Sequence, residues 1–325
     1  MKHTLKVTLI LVGLFLVTQF VGLVTVNTHI SVEEDPDTGD IIIDYPDTLL
    51  GPPATIEHES KDPFIIVGKI LALLAILILI GTALLILIIK YQIHKVWKVW
   101  FFLAVWATMA VAFGVYINWI IAAVIAFGFG LWKIYKPNVY VYNFTEIFIY
   151  TGITIMILPI LHVKDIPQLS LYAAFGTLIL ISLYDMYAVW KSKHMVKMAK
   201  FQTKANVFAG LMIPYAAPAK SMKKEKITKH AKHAGAKKTK SRHAILGGGD
   251  LAFPLIFSAA VMEYLIIVES FTKPTALAAG GVISLFTAAA LLVLLVKAED
   301  QKFYPAMPFI SIGCFIGFLA VMILF

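Results

Sequence analysis

"VWFFLAVWATMAVAFGVYINWIIAAVIAFGFGLW", residues 99–132, runs for 34 residues without a charged side chain. As a single helix it would extend about 51 Å at 1.5 Å per residue, whereas the hydrocarbon core of a bilayer is about 30 Å thick. One crossing cannot accommodate it. Lys98 and Lys133 bracket the run, and Gly114 and Asn118 interrupt its middle. It therefore reads as two antiparallel membrane spans joined by a tight turn.

The remainder of the chain has the same character. Hydrophobic residues make up 60% of the 325 and charged residues 14%, against about half and about a quarter in ordinary soluble domains. Stretches long and apolar enough to cross a bilayer are predicted at 7–25, 66–90, 97–115, 117–133, 143–162, 168–190, 244–268, 275–296 and 304–325. The first has a long apolar run with no clear small-residue cleavage site after it, so it reads as a retained span rather than a signal peptide. The predicted fold is an all-α polytopic bundle of nine transmembrane helices forming one structural domain. Residues 1–219 carry spans one to six, residues 220–243 form a basic loop, and residues 244–325 carry spans seven to nine. A single cysteine, Cys314, excludes an intrachain disulfide and a cysteine-based metal site.

Charge asymmetry orients the bundle, because basic residues concentrate on the cytoplasmic side. With Lys2 and Lys6 inside, alternation puts fifteen of the 28 basic residues, those in 191–243, inside as well. The segment 26–63 falls outside and carries ten acids against Lys61 alone. The N-terminus is expected in the cytoplasm and the C-terminus outside. The net charge of +9 is then a topology signal, and no nucleic-acid partner is read from it. The run "KSMKKEKITKHAKHAGAKKTKSRH", 220–243, reads as a solvated, disordered loop attracted to anionic headgroups. His230 and His233 lack cysteine or acid partners, so neither a metal nor a cofactor is expected.

Two acids lie within the spans. Asp185, in "ISLYDMYAVWKSK", precedes Lys191 by six residues, and Asp250 follows His243 by seven. On consecutive antiparallel helices both fall about 9–10 Å inside the cytoplasmic boundary. Intramembrane carboxyls are costly and mark pathways or active sites. Two that face each other cannot both ionise easily and share a proton, which supplies an acid and a base together. The ionised carboxylate can take a proton from water as it attacks an amide carbon while the protonated one polarises the carbonyl oxygen. Gly247, Gly248 and Gly249 permit irregular backbone before Asp250, and Pro254 deprives the Asp250 carbonyl of its helical partner. Taken alone, Asp250 also fits an interfacial acid capping a helix start. "FYPAMPFI", 303–310, opens the ninth span at similar depth, and its prolines suit a first helical turn.

In this order and spacing, Tyr184-Asp185, Gly247-Gly248-Gly249-Asp250 and Pro305-Ala306-Met307 resemble the YD, GxGD and PAL signatures of the presenilin and signal-peptide-peptidase family, archaeal members especially. The one departure is Met307 in place of leucine, a volume-conserving change that bears on substrate fit. The resemblance implies an intramembrane aspartyl protease with Asp185 and Asp250 as its catalytic pair. Tyr184, the three glycines and Pro305–Met307 would then line the site. It also implies transmembrane-helix substrates within the cell membrane, cut toward the cytoplasmic side, in the orientation of presenilin rather than of signal peptide peptidase. Nothing in the chain requires an accessory subunit. "ANVFAGLMIPY", 205–215, could supply an edge strand for an unwound substrate or continue an interfacial amphipathic segment. Asn143-x-x-Glu146 has helix-capping spacing, and Glu263, about 20 Å beyond Asp250 along the helix, reads as structural.

Other readings of the same acids are a proton or ion relay in a transporter and a membrane scaffold with replaceable carboxyls. Transporters usually carry internal repeats, and none is convincing here. A prepilin-peptidase relative would share the GxGD-like acid but often adds a cytoplasmic cysteine cluster, absent from this chain.

Overall fold

A computed structural model of the protein describes residues 5–34, 41–56, 62–164, 166–192, 198, 201–202, 208–216, 241–298 and 304–325. Among them are nine α-helices: α1 Leu5–His29, α2 Pro63–Lys90, α3 His94–Gly114, α4 Trp119–Tyr135, α5 Val139–Leu161, α6 Pro167–Met186, α7 Gly249–Ile267, α8 Lys273–Lys297 and α9 Met307–Leu324. Eight are long and apolar enough to cross a membrane, and α4 is a shorter apolar helix of 17 residues. The helical membrane bundle expected from the sequence is therefore present. Residues 220–240 of the basic run lie outside the described residues.

Local chemistry explains where the helices begin. The charge-free run divides at Asn118, whose side chain accepts the Ile120 amide at 2.9 Å and starts α4. Asp62 caps α2 by accepting the Phe64 amide, with Pro63 at a position where no partner for an N–H exists. Asn138 does the same for α5 through the Tyr140 amide. This last cap overturns the capping role read for Asn143 and Glu146. Helix α5 begins upstream of both, and they lie in its interior, buried. The spacing was right for a cap, but a stronger cap already stood at residue 138.

The seventh span also starts later than its hydropathy suggests. Ser241–Gly247 forms a strand, β4, and the helix begins at Gly249. Its antiparallel partner is β3, Gly210–Ala216, inside the segment read as an edge strand or an amphipathic continuation. In β4, Ala244 and Leu246 are buried while Ile245 is exposed, the period-two alternation of a strand with one covered face. A further hairpin pairs β1, Ser31–Glu34, with β2, Ile41–Asp44.

Helix α7 is the most enclosed element and packs against α1, α5, α6, α8 and α9. Helix α2 is the least enclosed and rests mainly on α6. The end of α7 remote from Asp250 is tied down by Glu263, which is buried and accepts the Tyr45 hydroxyl at 2.6 Å. His162, just past α5, sets its ring edge-on to Tyr45 at 5.3 Å, with Nδ1 3.9 Å from Glu263. Burial, and then the neighbouring Glu263 carboxylate, push the Tyr45 phenol well above its usual range, so it stays a donor. Tyr45→Phe strands a buried carboxyl without that donor. A stability loss of about 1–3 kcal/mol is expected, read as a lowered thermal midpoint in detergent; an unchanged midpoint would show that this bond does not anchor the helix.

Candidate active site

The residues singled out from the sequence gather where α6 ends and where α7 and α9 begin. Asp185 lies in the last turn of α6 and is 5% exposed. Its Oδ2 accepts the Met307 amide at 3.1 Å, and the Ala306 amide also bonds to this carboxyl. Ala306 is the N-cap of α9 and provides no capping side chain, while Pro308 has no N–H to offer. Asp185 thus supplies from another helix the acceptor that the start of α9 lacks. One turn away on each helix, Ser182 and Ser311 share a hydrogen bond of 2.8 Å and lock α6 to α9. Met307 is buried, and Pro305 sits before the cap rather than in the first helical turn, which begins at Met307.

Asp250 occupies the first turn of α7, half-buried. An acid there is favoured by the unpaired amides and positive end of the helix dipole. The Gly247 amide bonds to its carboxyl, and the carboxyl lies near enough to Asp185 for their charges to interact. A Cβ on Gly247 would stand 3.2 Å from Asp250 Oδ2, and one on Gly248 would stand 2.5 Å from the Tyr150 hydroxyl. Close approach therefore leaves no room for a side chain at Gly248, while one at Gly247 would crowd the Asp250 carboxyl. Gly249 is exposed and would meet only ordinary contact, with Phe253 at 3.7 Å. The Tyr184 hydroxyl lies 2.7 Å from Thr82 on α2, so this residue joins α6 to the loosest helix.

The strand pair adjoins this site. Gly210 lies opposite Gly247, and Met212 opposite Ile245. Asn143 receives the Met212 amide at 2.9 Å and donates to the Met212 carbonyl at 3.0 Å. The Gly210 amide goes to Glu146 at 3.0 Å. At alternate positions of β3 the backbone groups therefore turn outward and are already occupied by α5. Pro214 falls in the same outward set, where a missing N–H costs nothing. The strand expected to offer an open edge has that edge covered, and by the same alternation the outward groups of β4 fall on His243 and Ile245.

Several contributors escaped the sequence reading. Gln19, buried in α1, donates to the Leu251 carbonyl at 2.9 Å near the Pro254 interruption of α7. A lone amide in an apolar span was the available signal. Lys133 was read as a flanking topology charge, yet it is 1% exposed and paired with Glu146. Tyr142 and Tyr150 carried no distinguishing pattern. Among the described residues no cluster of three or more His, Cys, Asp or Glu side chains has formed.

Comparison with curated protein sequences finds no match. A family profile described as signal-peptide peptidase, presenilin aspartyl protease matches residues 55–325, a stretch that takes in every helix from α2 to α9 and both carboxyls. The chain belongs to the signal-peptide peptidase and presenilin family of aspartyl proteases.

Proposed function

We propose that the protein hydrolyses peptide bonds within transmembrane helices of other membrane proteins, with Asp185 and Asp250 as its catalytic pair. The observation that carries this reading is the placing of two acids at the junction of α6, α7 and α9: the Met307 amide holds Asp185 at 3.1 Å, and Asp250 stands in the first turn of α7 within electrostatic reach of it. Two carboxyls brought face to face share a proton. The ionised one removes a proton from water while the oxygen attacks the scissile carbonyl carbon. The protonated one delivers its proton to the carbonyl oxygen. As the C–N bond of the resulting gem-diol breaks, the nitrogen takes the proton held by the pair and a gem-diol hydroxyl returns its proton to the pair, which leaves a carboxyl product, an amine product and a once-protonated dyad. No covalent enzyme intermediate is needed.

A helical substrate hides its carbonyls in its own hydrogen bonds, so the scissile stretch must first become extended. The outward groups of β4 offer an unwound segment main-chain partners, and this strand runs directly through Gly247 and Gly248 to Asp250. Strand addition there, rather than on the covered edge of β3, brings an extended peptide toward the carboxyls. The basic side of the bundle, with the catalytic pair near it, is the cytoplasmic one; the N-terminus lies inside and the C-terminus outside. The basic loop rests on anionic headgroups.

The test is cleavage of a single-span reporter by the purified protein in liposomes, with product masses locating the cut. Cuts within the span, suppressed by a transition-state analogue directed at aspartyl proteases, are the expected result. Uncut reporters of several sequences, with proton flux across the same liposomes, would favour the relay reading instead.

A further inference from the structure

Helix α5 carries a row of polar side chains that the hydrolysis itself does not use. Tyr142, Asn143, Glu146 and Tyr150 are all buried, and Lys133 reaches them from α4. Glu146 pairs through Oε1 with the Lys133 ammonium, which also donates to Thr145 Oγ1 at 3.0 Å and sits 4.1 Å from the Tyr142 ring centroid. Through Oε2 the same carboxylate accepts the Tyr150 hydroxyl and, at 3.0 Å, the Gly210 amide. Tyr142 adds a further tie by accepting the Phe208 amide at 2.9 Å.

Stability alone is a poor explanation for such a pair. Desolvating two charges offsets most of what their attraction returns, and apolar residues of equal volume often serve as well. What an apolar pair cannot do is present a fixed acceptor. Glu146 presents one at a decisive place. Gly210, held at φ +139°, faces Gly247 across the strand pair. The Tyr150 hydroxyl, the other group on Oε2, abuts Gly248. One carboxylate therefore grips both the strand opposite Gly247 and the ring beneath Gly248, the two residues that lead into Asp250.

We infer that Glu146, anchored by Lys133, is a positioning residue for this protein's reaction: it fixes the β3–β4 pair and the Gly247–Gly248 junction so that Asp250 and an extended substrate meet in register. The inference rests on the protease reading. Asn143 belongs to the same device through its two bonds to Met212. The carboxylate acts as an acceptor, and the ammonium holds it in place.

Two double variants of the full chain separate the acceptor from the charge. Lys133→Met with Glu146→Gln removes both charges and keeps an acceptor oxygen; Lys133→Met with Glu146→Met removes both charges and the acceptor. Neither leaves one buried charge unpaired. Reporter kinetics, product masses and hydrogen exchange at the amides of residues 210–212 are read for each. The methionine pair is expected to lose about tenfold to a hundredfold in kcat, the scale of a small misplacement of reacting groups, with less change in KM. It should also cut at additional bonds neighbouring the main one and exchange faster at those amides. The glutamine pair should keep the wild-type scissile bond and amide protection. Asn143→Leu, which leaves the ion pair intact, should broaden the choice of bond as well, and it serves if the methionine pair fails to fold. The inference is overturned if the two double variants match in scissile bond and exchange, or if Asn143→Leu cuts only where the wild type does. A wild type that cuts no reporter fails the protease reading itself and takes the positioning role with it.

Discussion

Asparagine at either Asp185 or Asp250 should reduce reporter cleavage by at least about a thousandfold, within the span assigned to a lost general acid or base. Asparagine is chosen because it preserves shape and most hydrogen bonding. At residue 185 its side-chain oxygen can still accept the Met307 amide, so the start of α9 keeps its cap. At residue 250 it keeps an acceptor oxygen for the Gly247 amide. Thermal midpoints close to wild type, beside a lost rate, would locate the defect in the chemistry. On the proposed mechanism, in which the two carboxyls share one proton, the wild type should show a bell-shaped pH–rate profile. An asparagine variant that retained a tenth of the wild-type rate would remove the two-carboxyl mechanism, and proton-flux measurements would become the next step.

A proline at Ile245 should depress cleavage about tenfold or more, the worth of a main-chain hydrogen bond lost to substrate together with the ring's obstruction of the strand edge. The reasoning is positional. Met212 spends its amide and carbonyl on Asn143, so Ile245, its partner in register, turns its own groups to the other side. Replacing that outward amide leaves the β3–β4 ladder bonds in place and removes a donor that only an added strand would use. Ile245 is exposed, so its loss opens no cavity. A transition-state analogue too short to reach β4 should inhibit the variant as it inhibits the wild type. Full-rate cleavage of a long reporter by Ile245→Pro would show that the substrate docks elsewhere.

Much of the architecture could be read without coordinates, and the reason differs by element. Spans follow from length and apolar content because a bilayer demands both, and the turn at 115–118 followed from the excess length of the run around it. The meeting of Asp185 with Ala306 and Met307 was legible only as shared depth; that backbone amides make the contact could not be foreseen. The boundary at residue 249 was missed because apolar content does not distinguish a strand from a helix: the apolar residues on either side of the three glycines take two different backbone geometries. Glu146 was misread because capping spacing is local, while its true partners, Lys133 and Gly210, come from a different helix and from a strand far along the chain.

The sequence by itself determined that this chain is a helical membrane bundle and that two of its acids fall within apolar, span-length stretches. Those properties depend on solvent preference and on 1.5 Å of rise per residue, which each segment carries alone. Tertiary structure decided which donors hold Asp185, which edge of the strand pair is covered, and that a buried lysine and a buried glutamate form one network beside Gly247 and Gly248. Hydrogen-bond partners in a low-dielectric interior are settled by which helices lie side by side, because a buried polar group takes whatever donor or acceptor packing brings within reach.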